Sequence, residues 1–247
     1  MKYIFIILIL IVVYFLIEVS IFYYKYTHLP TLVENKQTDQ VLGSGKKLRY
    51  IAIGDSTAVG LGASSVENTY TYKIAKELSK NHEVYYKNIG LVGAKTEDVL
   101  NSQLQQSIDF KPDVVTISIG GNDATHLVSS KKVLNNLHEI TVRLAKETTA
   151  NVYLTNTPNF SWAKVLPWFY RRLLEYRDGS LNKQIQMMEM LSNSNGLKIV
   201  NIHDFGWSTF PDLSLTNAAD SFHPNDLGYQ NWNNAFLDKI NPDFMIK

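Results

Sequence analysis

The 247-residue chain contains no cysteine. This excludes disulfides, thiolate metal ligands, a cysteine nucleophile and a lipidated N-terminal cysteine, so an exported fold would stand on packing alone. An excess of charge of either sign is also missing. Lys and Arg number 24 against 23 Asp and Glu, for a formal net charge of +1. Such a balance gives no field that would gather nucleic acid, or a highly acidic substrate, as the main partner. Internal repeats and low-complexity blocks are absent too, which leaves an ordinary globular chain.

What is present begins at the N-terminus. Residues 3–17 carry no charge, and after Glu18 the apolar character resumes through Val19, Ile21, Phe22, Tyr23 and Tyr24. Taken to Tyr24, the segment is long enough to cross a hydrocarbon core of ~30 Å at 1.5 Å per residue. Glu18 would lie toward the outer end, and Tyr23 and Tyr24 suit an interfacial belt. The rival is a cleaved signal peptide, which needs an apolar core of about 7–15 residues and a small-residue cleavage site. The nearest candidate, Glu18-Val19-Ser20, has a charge where a small residue is wanted. The expectation is therefore a signal anchor over residues 1–24, with the remainder outside the cytoplasm and secretion after cleavage as the alternative. Residues 25–47 read as a flexible tether, rich in Lys, Thr, Asn, Gln and Gly. Residues 48–247 are then expected to form one catalytic domain.

From residue 48 onward, strand-like and helix-like patterns alternate. Leu48 to Ile53, Val84 to Ile89, Val114 to Ile119, Asn151 to Thr155 and Leu197 to Ile202 are short apolar runs. Between and after them, helical spacing recurs at Tyr70/Ile74/Leu78, Val99/Leu104/Ile108, Val133/Leu137/Ile140/Leu144, Leu181/Ile185/Met188 and Tyr229/Trp232/Phe236. This alternation predicts an α/β fold, a three-layer α/β/α sandwich around a mainly parallel five-stranded sheet. In such sheets ligands bind at the carboxyl edge of the strands. Four motifs fall at that edge: Gly54-Asp55-Ser56, Asn88-x-Gly90-x-x-Gly93, Gly120-Gly121-Asn122-Asp123 and Asp220-x-x-His223-Pro224.

A serine hydroxyl is a weak nucleophile at neutral pH and needs an imidazole base, itself oriented by a carboxylate. Ser56 can supply the hydroxyl, His223 the base and Asp220 the acid three residues before it. Either glycine after Asn88 could serve as a turn at positive φ or as a backbone donor that substrate can approach. The remaining histidines, His28, His82, His126, His138 and His203, read as hydrogen-bonded structural residues. His203-Asp204 also follows a strand, but it has no second set of ligands beside it.

Together and in this order, the four motifs resemble those of the SGNH (GDSL-type) hydrolase family of serine esterases and lipases, over residues 48 to about 240. The resemblance implies an ester hydrolase working through an acyl-enzyme on Ser56, with no cofactor and no metal. It assigns the oxyanion hole to the N–H groups of Ser56 and Gly93 and to the Asn122 side chain, with Gly90 as the alternative glycine. Its implied partner is an ester, lipid or acylated glycan, beside the membrane that holds the anchor. An O-acyltransferase with the same triad and a non-catalytic glycan- or lipid-binding module are the alternatives. The stretch Phe160–Tyr176 is not dictated by the resemblance. It is rich in aromatics and arginine, and is expected either to pack on the core or to wall the substrate pocket through Trp168 and Phe169.

Overall fold

Alternation within the strands sets the layers. In the computed structural model, Ile51 and Ile53 of Lys46–Gly54 (β2) point into one core while Tyr50 and Ala52 point into another. Val114–Ser118 (β4) is buried at every position and divides its side chains in the same way. A strand covered on both faces has no solvent side to make polar, which is why these runs are continuously apolar. Residues 2–32, 34–35, 39–191, 196–204, 213–240 and 244 are described.

The other strands are Gln40–Leu42 (β1), His82–Asn88 (β3), Asn151–Thr155 (β5) and Leu197–Val200 (β6). They form one six-stranded sheet in the order β1-β3-β2-β4-β5-β6, parallel throughout except for β1, which runs antiparallel to β3. The sixth strand corrects the expected count of five. It lies within the stretch read as tether, where three residues are too short to show a period. Asn35 in the same stretch is buried, and its amide donates to Gly60 O and Ala63 O. Residues 33 and 36–38 of that stretch lie outside the described residues.

The N-terminal helix Lys2–Thr27 (α1) stands apart from both cores, with no buried residue. It is long and apolar enough to cross a membrane. A single helical turn, Ser56–Val59 (α2), follows β2. One face of the sheet is covered by Tyr70–Leu78 (α3) and Asp226–Leu237 (α7). The other is covered by Leu104–Asp109 (α4), Ser130–Glu147 (α5) and Trp168–Leu191 (α6). The sandwich is therefore three-layered, as the alternation predicts. From β2 the chain moves outward to β3, then returns to the other side of β2 as β4. The crevice between the carboxyl ends of β2 and β4 is the point where strand order reverses, the usual ligand position in open α/β sheets.

Candidate active site

The turn after β2 presents Ser56. Gly54 has φ +138°, and a Cβ there would lie 1.9 Å from Ser118 O, so the two strand ends meet closely only because this residue is glycine. Asp55 N–H then donates to Ser118 O at 3.0 Å. The Asp55 carboxylate caps α2, accepting from Thr57 N–H at 2.9 Å and Thr57 Oγ1 at 2.6 Å. Burial pushes Asp55 up to about 6, although these hydrogen bonds from Thr57 hold it partly down.

On the opposite side, the loop before α7 folds Asp220 back over His223. Ser221 takes φ +56°, and Asp220 Oδ1 accepts the N–H groups of Phe222 and His223, both at 3.0 Å. Its other oxygen, Oδ2, lies 2.5 Å from His223 Nδ1. His223 Nε2 lies 2.9 Å from Ser56 Oγ. Burial raises Asp220, but the hydrogen bond and charge of His223, with the two backbone N–H donors, outweigh it and hold the carboxyl below its ordinary value. An anionic Asp220 keeps the proton of the neutral imidazole on Nδ1 and leaves Nε2 as acceptor toward the serine hydroxyl. The three residues singled out in the sequence thus meet in one relay.

The two glycines of the Asn88 loop differ in what they can offer. Gly90 N–H already donates to Asn88 Oδ1 at 2.9 Å, and a Cβ at Gly90 would press on Ala58. Gly93 has φ +80°, and the space a Cβ would enter is open; its N–H has no hydrogen-bond partner among the described residues. Asn88 also donates to Ala58 O at 2.7 Å, tying this loop to the end of α2. Asn122 Nδ2 donates to Ala94 O at 2.9 Å, which leaves that nitrogen's second hydrogen for another acceptor. Asp123 accepts from Thr96 N–H at 2.9 Å and Thr96 Oγ1 at 2.8 Å, which fixes the loop that follows Gly93.

A cavity opens over Ser56 and His223. Its walls are largely apolar: Ile119, Pro158, Phe160, Trp162, Phe222 and Trp232. The aromatic segment expected to line it divides. Phe160 and Trp162 reach the cavity, whereas Trp168 and Phe169, at the start of α6, are not among its lining residues. Phe169 stacks on Phe15 of α1 at 4.1 Å, and Trp168 N–H donates to Glu18 Oε2 at 3.1 Å. Sequence reasoning does not mark Phe222 and Trp232 as walls. Phe222 carries a usable signal, since it lies inside the Asp220–His223 motif. Trp232 shares the periodicity of core residues and gives no separate signal.

The profile of the GDSL-like Lipase/Acylhydrolase family matches residues 52–230. No curated protein matches the sequence. Among solved structures, a member of the lipolytic protein G-D-S-L family from Veillonella parvula superposes with a TM-score of 0.62 at 14% identity, over 78% of this chain and 97% of its own. An acetylxylan esterase from Geobacillus stearothermophilus gives 0.60 at 21% identity, over 83% and 99%. A lipase from a goat rumen metagenome gives 0.58 at 22%, over 77% and 96%. At these identities the likeness is one of fold.

Proposed function

We propose that this chain, which belongs to the GDSL-like lipase/acylhydrolase family and is a serine ester hydrolase, cleaves carboxylic esters through an acyl-enzyme on Ser56. The observation that carries this reading is the relay of Ser56 Oγ to His223 Nε2 at 2.9 Å and of His223 Nδ1 to Asp220 Oδ2 at 2.5 Å. Ser56 Oγ attacks the ester carbonyl carbon as His223 Nε2 takes its proton. The resulting imidazolium is stabilised by Asp220, which stays ionised. The N–H groups of Ser56 and Gly93 and the second hydrogen of Asn122 Nδ2 are the donors for the oxyanion; each such donor is worth about 2.7–4 kcal/mol in the transition state. His223 then protonates the leaving alcohol, and water discharges the acyl group by the same route.

The N-terminal helix α1 is read as a membrane anchor, with the catalytic domain outside the cytoplasm. Supporting this are its 26 residues, its lack of any buried side chain and its apolar composition. Hydrolysis of p-nitrophenyl acetate by the full-length protein tests the chemistry. Ser56→Ala and His223→Ala should each remove turnover while the melting temperature stays close to the parent's. Turnover by Ser56→Ala at the parental rate would reject the mechanism.

A further inference from the structure

The anchor helix α1 does not hang free of the catalytic domain. Contacts join the two in antiparallel order: Lys25 Nζ donates to Lys164 O at 3.1 Å, Glu18 Oε2 accepts Trp168 N–H at 3.1 Å, and Phe15 stacks on Phe169 with ring centroids 4.1 Å apart. Residues 164–169 therefore run back along α1, from the level of Lys25 to that of Phe15. At 1.5 Å per residue, Phe15 lies about 15 Å from Lys25 along the helix axis, on the membrane side. A span that ends at Tyr24 puts Lys25 among the headgroups. Phe169, level with Phe15, then reaches the outer half of a hydrocarbon core ~30 Å thick.

The chemistry of this segment suits that depth. Val165-Leu166-Pro167-Trp168-Phe169-Tyr170 carries no charge, whereas Lys164 precedes it and Arg171 and Arg172 follow it. Aromatic rings favour the interface, and long basic side chains reach back toward phosphate. Trp168 is 51% exposed and belongs to neither face of the core. Glu18 is the one charged residue between Tyr3 and Tyr24, and its carboxylate accepts the first N–H of α6, at the positive end of that helix. Each would otherwise be an unpaired polar group in hydrocarbon, where such groups are costly. The segment is also braced to the domain. Tyr170 Oη donates to Thr125 O at 2.6 Å, and Arg171 donates to Ser161 O at 2.8 Å, between the cavity walls Phe160 and Trp162.

We infer that residues 165–170 form a wedge in the outer leaflet of the membrane that holds α1. The partner of this surface is the lipid bilayer itself. Trp168 faces acyl chains, Phe169 packs on α1, and Lys164, Arg171 and Arg172 lie at headgroup level. The catalytic domain thus sits on the bilayer at a fixed attitude rather than at the end of a flexible tether. The inference rests on the reading of α1 as a membrane anchor.

The chain has no cysteine, so single labels can be placed by substitution. Full-length protein is reconstituted into vesicles of phosphatidylcholine and phosphatidylglycerol, with a nitroxide at Trp168→Cys, Val12→Cys or Lys80→Cys. Electron paramagnetic resonance then measures collisions with dissolved oxygen, which concentrates in lipid, and with an aqueous nickel chelate. Val12 is an exposed position within α1, and Lys80 is exposed between α3 and β3, at the amino edge of the sheet. The Trp168 label should match the Val12 label in oxygen collisions and lose the nickel collisions that the Lys80 label keeps. A Val12 label in lipid with a Trp168 label in water would overturn the inference and leave the anchor standing. A Val12 label in water would overturn the anchor, and the wedge with it. Because Trp168→Cys could misfold, Phe15→Cys/Phe169→Cys provides a second measurement. A short bis-maleimide should join the two positions in the vesicles, read as a linked peptide by mass spectrometry after proteolysis. Absence of that peptide would overturn the docking from which the depth follows.

Discussion

Asp178, on the buried face of α6, should make the enzyme less stable as pH rises. The residue is 1% exposed, and neither carboxylate oxygen has a hydrogen-bond partner among the described residues. Its neighbour Arg177 spends its guanidinium on Ala124 O and Val128 O. Burial therefore dominates and pushes Asp178 from 3.8 up to about 7, with the Arg177 charge offsetting a part. Folding takes up a proton across that interval, so this group's contribution is most favourable below pH 3.8 and falls as pH rises toward 7. At about 1.36 kcal/mol per pH unit, the ionised form costs about 4 kcal/mol, an upper figure because water penetration would relieve it. Asp178→Asn keeps the shape and removes the charge. In thermal melts of the full-length protein in mild detergent, the variant should lie close to the parent near pH 4. At pH 8 it should melt higher, by on the order of 10 °C for a domain of this size. Equal melting temperatures at both pH values would show that the carboxyl is hydrated or paired, and would refute the reasoning.

Asp220 should act in the opposite sense. Its carboxyl is held below its ordinary value, so its contribution is present above pH 3.8 and is lost as pH falls through the folded value. Asp220→Asn should lower kcat by on the order of 10³–10⁴-fold, because the amide no longer holds His223 in the working tautomer; a change of less than about tenfold would contradict that role. Phe160→Ala should weaken selection for longer acyl chains in a p-nitrophenyl ester series, each methylene being worth about 0.8 kcal/mol, whereas Trp168→Ala should leave the series unchanged. The reverse result would move the acyl pocket to α6. Full-length protein should sediment with membranes, and a chain beginning at Pro30 should be soluble and active because it keeps Asn35 and β1. A soluble full-length chain would contradict the anchor.

What the sequence makes legible is set by local pattern. β2 and β4 are buried on both faces and so read as apolar runs, and the four motifs fall where strands end or loops turn back. The features that stay hidden depend on distant partners. Three-residue β1 is a strand only because β3 offers it an edge. Val99–Gln103 widens into a π-helix, and Gln103 there reaches across to bond Gly54 N–H at 2.7 Å and Gly54 O at 2.9 Å. The helical spacing of Val99, Leu104 and Ile108 carries no trace of that insertion. In the aromatic segment, Phe160, Trp162, Trp168 and Phe169 look equivalent by composition. Phe160 and Trp162 precede the turn at Lys164 and Val165 and reach the cavity, whereas Trp168 and Phe169 follow it at the start of α6 and do not line it.

Acylation of Ser56 is open to rapid-quench kinetics with p-nitrophenyl acetate. A burst of p-nitrophenolate is expected, stoichiometric with enzyme when deacylation is the slower step, together with an acetyl group on the peptide that contains Ser56. In His223→Ala both should disappear. An acetyl group trapped on a different residue, or undiminished turnover in Ser56→Ala, would contradict it.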